Sequence, residues 1–118
     1  RGGVTDRQPV LLYLTAANQT EAERIGAALV EQRLVACVNI LGSPIQALFH
    51  WQSSVERSSE VAFFAKTTHD HVPRINEVVQ SLHSYECPCL VALPLIAGNP
   101  AFLSWIEQET HPPAKETE

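Results

Sequence analysis

Basic side chains are scarce in this sequence: eight Lys and Arg stand against 13 Asp and Glu in 118 residues, a formal net charge of −5. The end segments, with Arg1, Asp6 and Arg7 at one end and Lys115, Glu116 and Glu118 at the other, sum to zero, so the whole −5 belongs to residues 10–110. That body holds only Arg24, Arg33, Arg57, Lys66 and Arg74, too dispersed to form a stripe that tracks a phosphate backbone, which excludes nucleic acid as its expected partner. Its acidity suits a cation, or simply a solvated surface. Long hydrophobic runs are also missing. None approaches the ~20 residues that cross a bilayer, so no membrane partner is expected. Catalytic signatures are absent too: there is no Gly-rich phosphate loop, no Gly-x-Ser-x-Gly elbow and no His-Glu-x-x-His, and an enzyme is not expected. Neither a repeat nor a low-complexity run is present. The start, Arg1-Gly2-Gly3, has no initiator Met and no signal-peptide pattern and reads as a trimmed end; with an odd number of cysteines, three, this predicts reduced thiols in the cytoplasm.

What is present is a globular composition, 45% apolar and 18% charged. At this length one domain is expected, over 10–110, with flexible tails at 1–9 and 111–118. Val10-Leu11-Leu12-Tyr13-Leu14 reads as a buried strand. Thr20-Glu21-Ala22-Glu23 has the form of a capping box, and Ala22, Ile25, Gly26, Leu29 and Val30 follow at helical spacing to about Arg33. Residues 35–40 read as a second strand, broken by Gly42-Ser43-Pro44 and resumed from Ile45 through Trp51, one long element that is bent or bulged. Ser53-Ser54 and the polar stretch 56–59 predict a ribbon tip, and residues 60–67 a third strand antiparallel to the second. A second helix is predicted over 70–83 and a fourth strand over 90–96, where Pro94 implies an edge or bulge. Asn99-Pro100 is an N-cap with proline at the first helical position, opening a last short helix whose apolar face is Phe102, Trp105 and Ile106.

The order β-α-β-β-α-β plus a terminal helix predicts an α+β, ferredoxin-like βαββαβ fold: a four-stranded antiparallel sheet with both long helices on one face. Neighbouring apolar residues such as Phe63 and Phe64, or Leu11 and Leu12, point to opposite faces, so both faces seek burial. With no second layer in the chain, other subunits are expected to cover the free face.

Several runs together resemble the CutA family of divalent-cation tolerance proteins over residues 10–107: Ala36-Cys37-Val38-Asn39-Ile40, Trp51, Glu60, Lys66-Thr67, His83-x-Tyr85-Glu86-x-Pro88 and Phe102-x-x-Trp105-Ile106. The resemblance implies a homotrimer, similar in architecture to PII signalling proteins, linked to copper tolerance and metal binding. The family's His-Pro-Tyr-Glu-x-Pro-Glu run here reads His83-Ser84-Tyr85-Glu86-Cys87-Pro88-Cys89, so one proline has become Ser84 and the second acidic residue Cys89. The aromatic pair before Trp51 has become Phe49-His50, and Ser53 replaces an expected glycine.

Four residues are candidate soft-metal ligands: His83, Cys37, Cys87 and Cys89, with copper as the expected ion because thiol and imidazole donors favour it. Each has a plainer role. Cys37 and the Cys87/Cys89 pair read equally as small buried strand residues, and His83 as a partner of the helix C-terminal carbonyls. The resemblance to PII-like trimers also implies that a second set, Trp51, Glu60, Lys66 and Tyr85, lines an intersubunit cleft that binds a small ligand or carries a signal. Glu60 and Lys66, an even number of residues apart, project to one side, where a salt-bridged strand face is the alternative. His50, His69, His71 and His111 read as surface or packing residues.

Overall fold

A computed structural model describes residues 6–113. Strand β1 (Pro9–Ala16) alternates as its sequence demands: Val10, Leu12, Leu14 and Ala16 are buried on one side, while Leu11 and Tyr13 on the other are only half-buried. Helix α1 (Gln19–Glu31) starts one residue before the predicted capping box. Its N-cap is Asn18, whose Oδ1 accepts from the Glu21 N–H at 2.8 Å, while Glu21 reaches back to the Ala17 N–H at 2.9 Å. Asn caps at least as well as Thr, and with Asn18 at the cap Glu21 falls at the third helical position, from which its carboxylate reaches the N–H of Ala17, one residue before the cap. The helix ends in a paired-bond turn. The Leu34 N–H meets Leu29 O at 3.0 Å and the Arg33 N–H meets Val30 O at 3.0 Å, which places Arg33 at φ 57° in the left-handed region.

The expected second strand is two strands, β2 (Cys37–Ile40) and β3 (Ile45–Trp51), both antiparallel to β4 (Ser54–Thr68). Ile40 pairs with Phe63 and Ile45 with Glu60, so residues 41–44 lie opposite only Val61 and Ala62. Pro44 has no N–H for the ladder, and the surplus residues bulge out and separate the strands. The sheet therefore has five strands rather than four. The polar stretch 56–59, expected as a tip, lies within β4. The tip is the pair Gln52 and Ser53, at φ 50° and 74°, a two-residue turn whose positive φ values suit a right-twisted hairpin. Beyond the body neither ribbon face meets a core, so polar residues are tolerated there.

After a single 3₁₀ turn (His69–His71) come α2 (Val72–Leu82), the edge strand β5 (Leu90–Pro94) and α3 (Pro100–Thr110). Strand β5 stops at Pro94, short of the predicted 96, and Asn99 caps α3 through the N–H groups of Ala101 and Phe102. The strands run β2-β4-β1-β5, all antiparallel, with β3 continuing alongside β4. Helices α1 and α2 cover one face, where Leu12, Phe63, Ile25, Leu29, Ile75 and Val79 form a solvent-free core. Helix α3 lies against β4 and β1 on the other face, with the Lys66 ammonium 5.8 Å from the centre of the Phe102 ring. It leaves much of that face open. Val91 and Leu93 on β5, and Leu48, Trp51 and Val55 on the ribbon, are all exposed.

Contacts extend past the expected 10–110 body. Arg7 pairs with Glu107 at 3.0 Å, the Gln8 amide donates to Leu95 O at 3.0 Å, and His111 is bonded to Glu107 O at 2.9 Å. The remainder of the expected tails, 1–5 and 114–118, lies outside the described residues.

Candidate functional site

The segment 83–89 leaves the end of α2 and enters β5, and a buried carboxylate fastens it. Glu21, fixed at the first turn of α1, accepts from the Ala17 N–H through Oε1 and from the Ser84 N–H through Oε2 at 2.8 Å, with the Ser84 hydroxyl at 3.2 Å from Oε1. Burial pushes the Glu21 carboxyl up, but the hydrogen bonds from Ala17 and Ser84 outweigh it and hold it below the usual carboxylate value. Ser84 is the position where the related motif has proline. A proline has no N–H, so the bond to Glu21 belongs to the serine version of the motif.

His83 is 1% exposed at its side chain. Its Nε2–H donates to Thr15 O at 2.8 Å and its Nδ1 accepts from the Tyr85 N–H at 3.0 Å. Both ring nitrogens are engaged, so the imidazole offers a metal no lone pair and serves to bind the segment to β1. Tyr85 packs against this ring in a tilted arrangement, with centroids 4.9 Å apart and planes inclined by 51°, and donates its hydroxyl to Glu60 Oε2 at 3.3 Å. Burial, and then the Glu60 charge, raise the Tyr85 phenol above its ordinary value, so it stays a donor at neutral pH.

Cys87 is exposed and Cys89 half-buried, and both are free thiols. Burial raises the Cys89 thiol, a hydrogen bond with Thr15 partly offsets it, and the Glu60 carboxylate adds a smaller upward effect. Cys37, also free, opposes Lys66 on β2 at the other end of the sheet. The predicted set His83, Cys37, Cys87 and Cys89 is thus not gathered within one chain. Among the described residues, the three donors that do come within 4.8 Å of one another are those of Asp70, His71 and His111.

Of the cleft residues, Glu60 and Tyr85 meet, and Lys66 and Trp51 lie apart from them. Glu60 and Lys66 belong to one strand, and six residues of strand correspond to about 20 Å. Lys66 donates to Asn39 Oδ1 at 2.6 Å while Glu60 takes the Tyr85 hydroxyl, so no salt bridge joins the two. Trp51 stands at the ribbon tip, 62% exposed, opposite Ser54. What Glu60 does border is a hollow of about 230 Å³, lined also by Asn18, Gly42, Pro44 and Ser59. Sequence reasoning missed the Asp70, His71 and His111 grouping: the two histidines come from segments 40 residues apart in the chain, and only the docking of α3 joins them.

A family model described as CutA1 divalent ion tolerance protein matches residues 10–109. The divalent-cation tolerance protein CutA of Archaeoglobus fulgidus is 39% identical over 97 residues, covering 82% of this chain and 93% of that protein. Mouse protein CutA is 40% identical over 98 residues, 83% of this chain but 55% of its own length, so the chain spans about half of that relative. Among solved structures, the divalent cation tolerance protein of Thermus thermophilus superposes with a TM-score of 0.83 at 36% identity, covering 86% of this chain and 97% of that one. The structure of the Archaeoglobus fulgidus protein, described as the periplasmic divalent cation tolerance protein CutA, gives 0.83 at 37% identity, with 86% and 98% covered.

Proposed function

Because this chain belongs to the CutA1 family of divalent ion tolerance proteins, we propose that it is a cytoplasmic, homotrimeric copper-tolerance protein that retains Cu(I) on the Cys87 and Cys89 thiols. The observation that carries this reading is the placement of those thiols. They flank Pro88 at the entry to β5, on a segment immobilised by Glu21 and His83, with the negative charge of Glu60 close enough to act on Cys89. Soft thiolate donors select Cu(I), and a nearby carboxylate favours a cation. His83 positions the segment rather than ligating, and Cys37 is outside the set within one chain. The family description names ion tolerance rather than a reaction, and the reading includes no catalysis.

Assembly follows from the open sheet face and ribbon. Val91, Leu93, Leu48, Trp51 and Val55 together make an apolar surface that a lone chain leaves in water. Three is the subunit number that the family resemblance implies. Three unpaired thiols suit a reducing compartment, which supports the cytoplasm for this chain. The test is Cu(I) competition against a chelator under reducing conditions for the wild type, Cys87→Ser/Cys89→Ser and His83→Ala. A strong loss in the double cysteine variant supports the reading, and equal affinity in that variant and the wild type contradicts it.

The hollow beside Glu60 supports a second reading, a PII-like trimer that binds a small ligand in a cleft completed by neighbouring subunits, with Trp51, Glu60, Lys66 and Tyr85 contributing. Glu60→Gln abolishing ligand binding while leaving copper retention intact would favour it.

A further inference from the structure

The geometry points to a second, thiol-free metal site, in which Asp70, His71 and His111 bind a divalent ion of the zinc type and clip the end of α3 to the turn that opens α2. Ligating atoms of the three side chains lie within 4.8 Å of one another. The two rings stack, with centroids 4.6 Å apart and planes inclined by 32°.

Each donor is already oriented from behind. His71 Nε2 is 2.8 Å from Thr110 O, and His111 Nδ1 is 2.9 Å from Glu107 O. A carbonyl only accepts, so both of these nitrogens carry the proton, which leaves His71 Nδ1 and His111 Nε2 as the ligating positions. Metal-bound histidines are held in this way, with the second ring nitrogen donating to a backbone carbonyl. Asp70 is steered too, because the Thr68 hydroxyl donates to Oδ1 and leaves Oδ2 facing His111.

His111 Nε2 and Asp70 Oδ2 are 2.7 Å apart. Two lone pairs do not face each other at that distance, so in the metal-free protein a proton is shared between them. A zinc ion replaces it, the proton passing to solvent, once the pair opens to the roughly 3.3 Å that bonds of about 2.0–2.1 Å impose at tetrahedral angles. Asp70 is partly exposed and free to move that far. Two imidazoles and one carboxylate are a borderline donor set that suits Zn²⁺, and water supplies the fourth position. The site is separate from Cys87 and Cys89. His71 caps the start of α2 and His83 its end, about 18 Å apart along the axis. It therefore stands whether or not copper occupies Cys87 and Cys89.

The experiment uses the full chain, reduced, with Zn²⁺ affinity measured by chelator competition and Co²⁺ as the spectroscopic probe. One Co²⁺ per chain with d–d bands and no thiolate charge-transfer band is expected, unchanged in Cys87→Ser/Cys89→Ser. His71→Gln/His111→Gln should weaken Zn²⁺ by about 100-fold or more, at or beyond the upper end of what losing a merely orienting group costs. Zn²⁺ should also raise the unfolding temperature of the wild type and not of that variant. If the double variant is misfolded by circular dichroism, Asp70→Asn and His111→Gln singly must each weaken binding. Unchanged affinity in the histidine variants, no Co²⁺ spectrum at excess metal, or a thiolate band that vanishes with Cys87 and Cys89 would overturn the site without touching the copper reading.

Discussion

Replacing Glu21 tests whether one buried carboxylate holds the 83–89 segment in place. The Ala17 and Ser84 N–H groups are served by different oxygens, Oε1 and Oε2. A glutamine has one carbonyl oxygen and one NH₂, so in Glu21→Gln one of the two N–H groups faces a donor. Leaving a buried donor unsatisfied costs about 1–3 kcal/mol, so Glu21→Gln should lose about 2 kcal/mol. Glu21→Ala abandons both N–H groups and the Ser84 hydroxyl and should lose about 3–4 kcal/mol. Urea unfolding at pH 7 and fixed chain concentration, with a slope of about 1–3 kcal/mol per molar, would show the first as a midpoint drop of about 1 M. The dependence on pH supplies a second check. The folded Glu21 carboxyl sits below its ordinary value of 4.5, so its stabilisation is full above that pH and is lost as pH falls through the depressed folded value. The gap between wild type and Glu21→Gln should therefore be constant from pH 7 to 5 and shrink as pH falls below 4.5. A gap that is negligible at pH 7, or as large at pH 3 as at pH 7, would refute the reasoning.

Ser84→Pro, which restores the residue usual in the related motif, removes the N–H donated to Glu21 and should cost about 1–3 kcal/mol in the same titration, whereas a gain would mean that the bond contributes nothing. Gly26→Ala places a methyl 3.0 Å from Val38 Cγ1, so the overpacking cost should exceed the helix-propensity gain and leave about 1 kcal/mol of destabilisation; a stabilised variant would show that β2 yields easily. Leu93→Asp charges the open sheet face where the side chain is 48% exposed in the lone chain, so light scattering should show a smaller assembly while circular dichroism is unchanged. An unaltered mass would remove β5 from the interface.

The fold was legible wherever one periodicity ran uninterrupted. The apolar spacing of α1 and α2 and the Asn99-Pro100 start of α3 needed no tertiary information, and Pro94 marked an edge strand because its missing N–H forbids a central one. Boundaries failed where two local signals competed, as at Asn18 against Thr20. The ribbon failed for a different reason: residues 56–59 look like a turn by polarity, yet they pair because a projecting hairpin has no core to select apolar side chains. At the site, sequence spacing located the segment 83–89 but not its chemistry. His83 has helix-end spacing compatible with a ligand, and only the Thr15 carbonyl and Tyr85 amide reveal that its nitrogens are used. Even spacing put Glu60 and Lys66 on one side of a strand, but spacing carries no information on which neighbour each finds across the sheet. Asp70, His71 and His111 meet only because α3 folds back over the sheet.

The central claim, a trimer that retains copper on a thiol pair, is tested most directly by native mass spectrometry of tag-free reduced protein given one equivalent of Cu(I) per chain, wild type beside Cys87→Ser/Cys89→Ser. The account predicts a wild-type species of three times 13.0 kDa, about 39 kDa, carrying three copper ions, and a variant of the same assembly without them. A 13.0 kDa wild-type species, or copper held equally by both proteins, would contradict it.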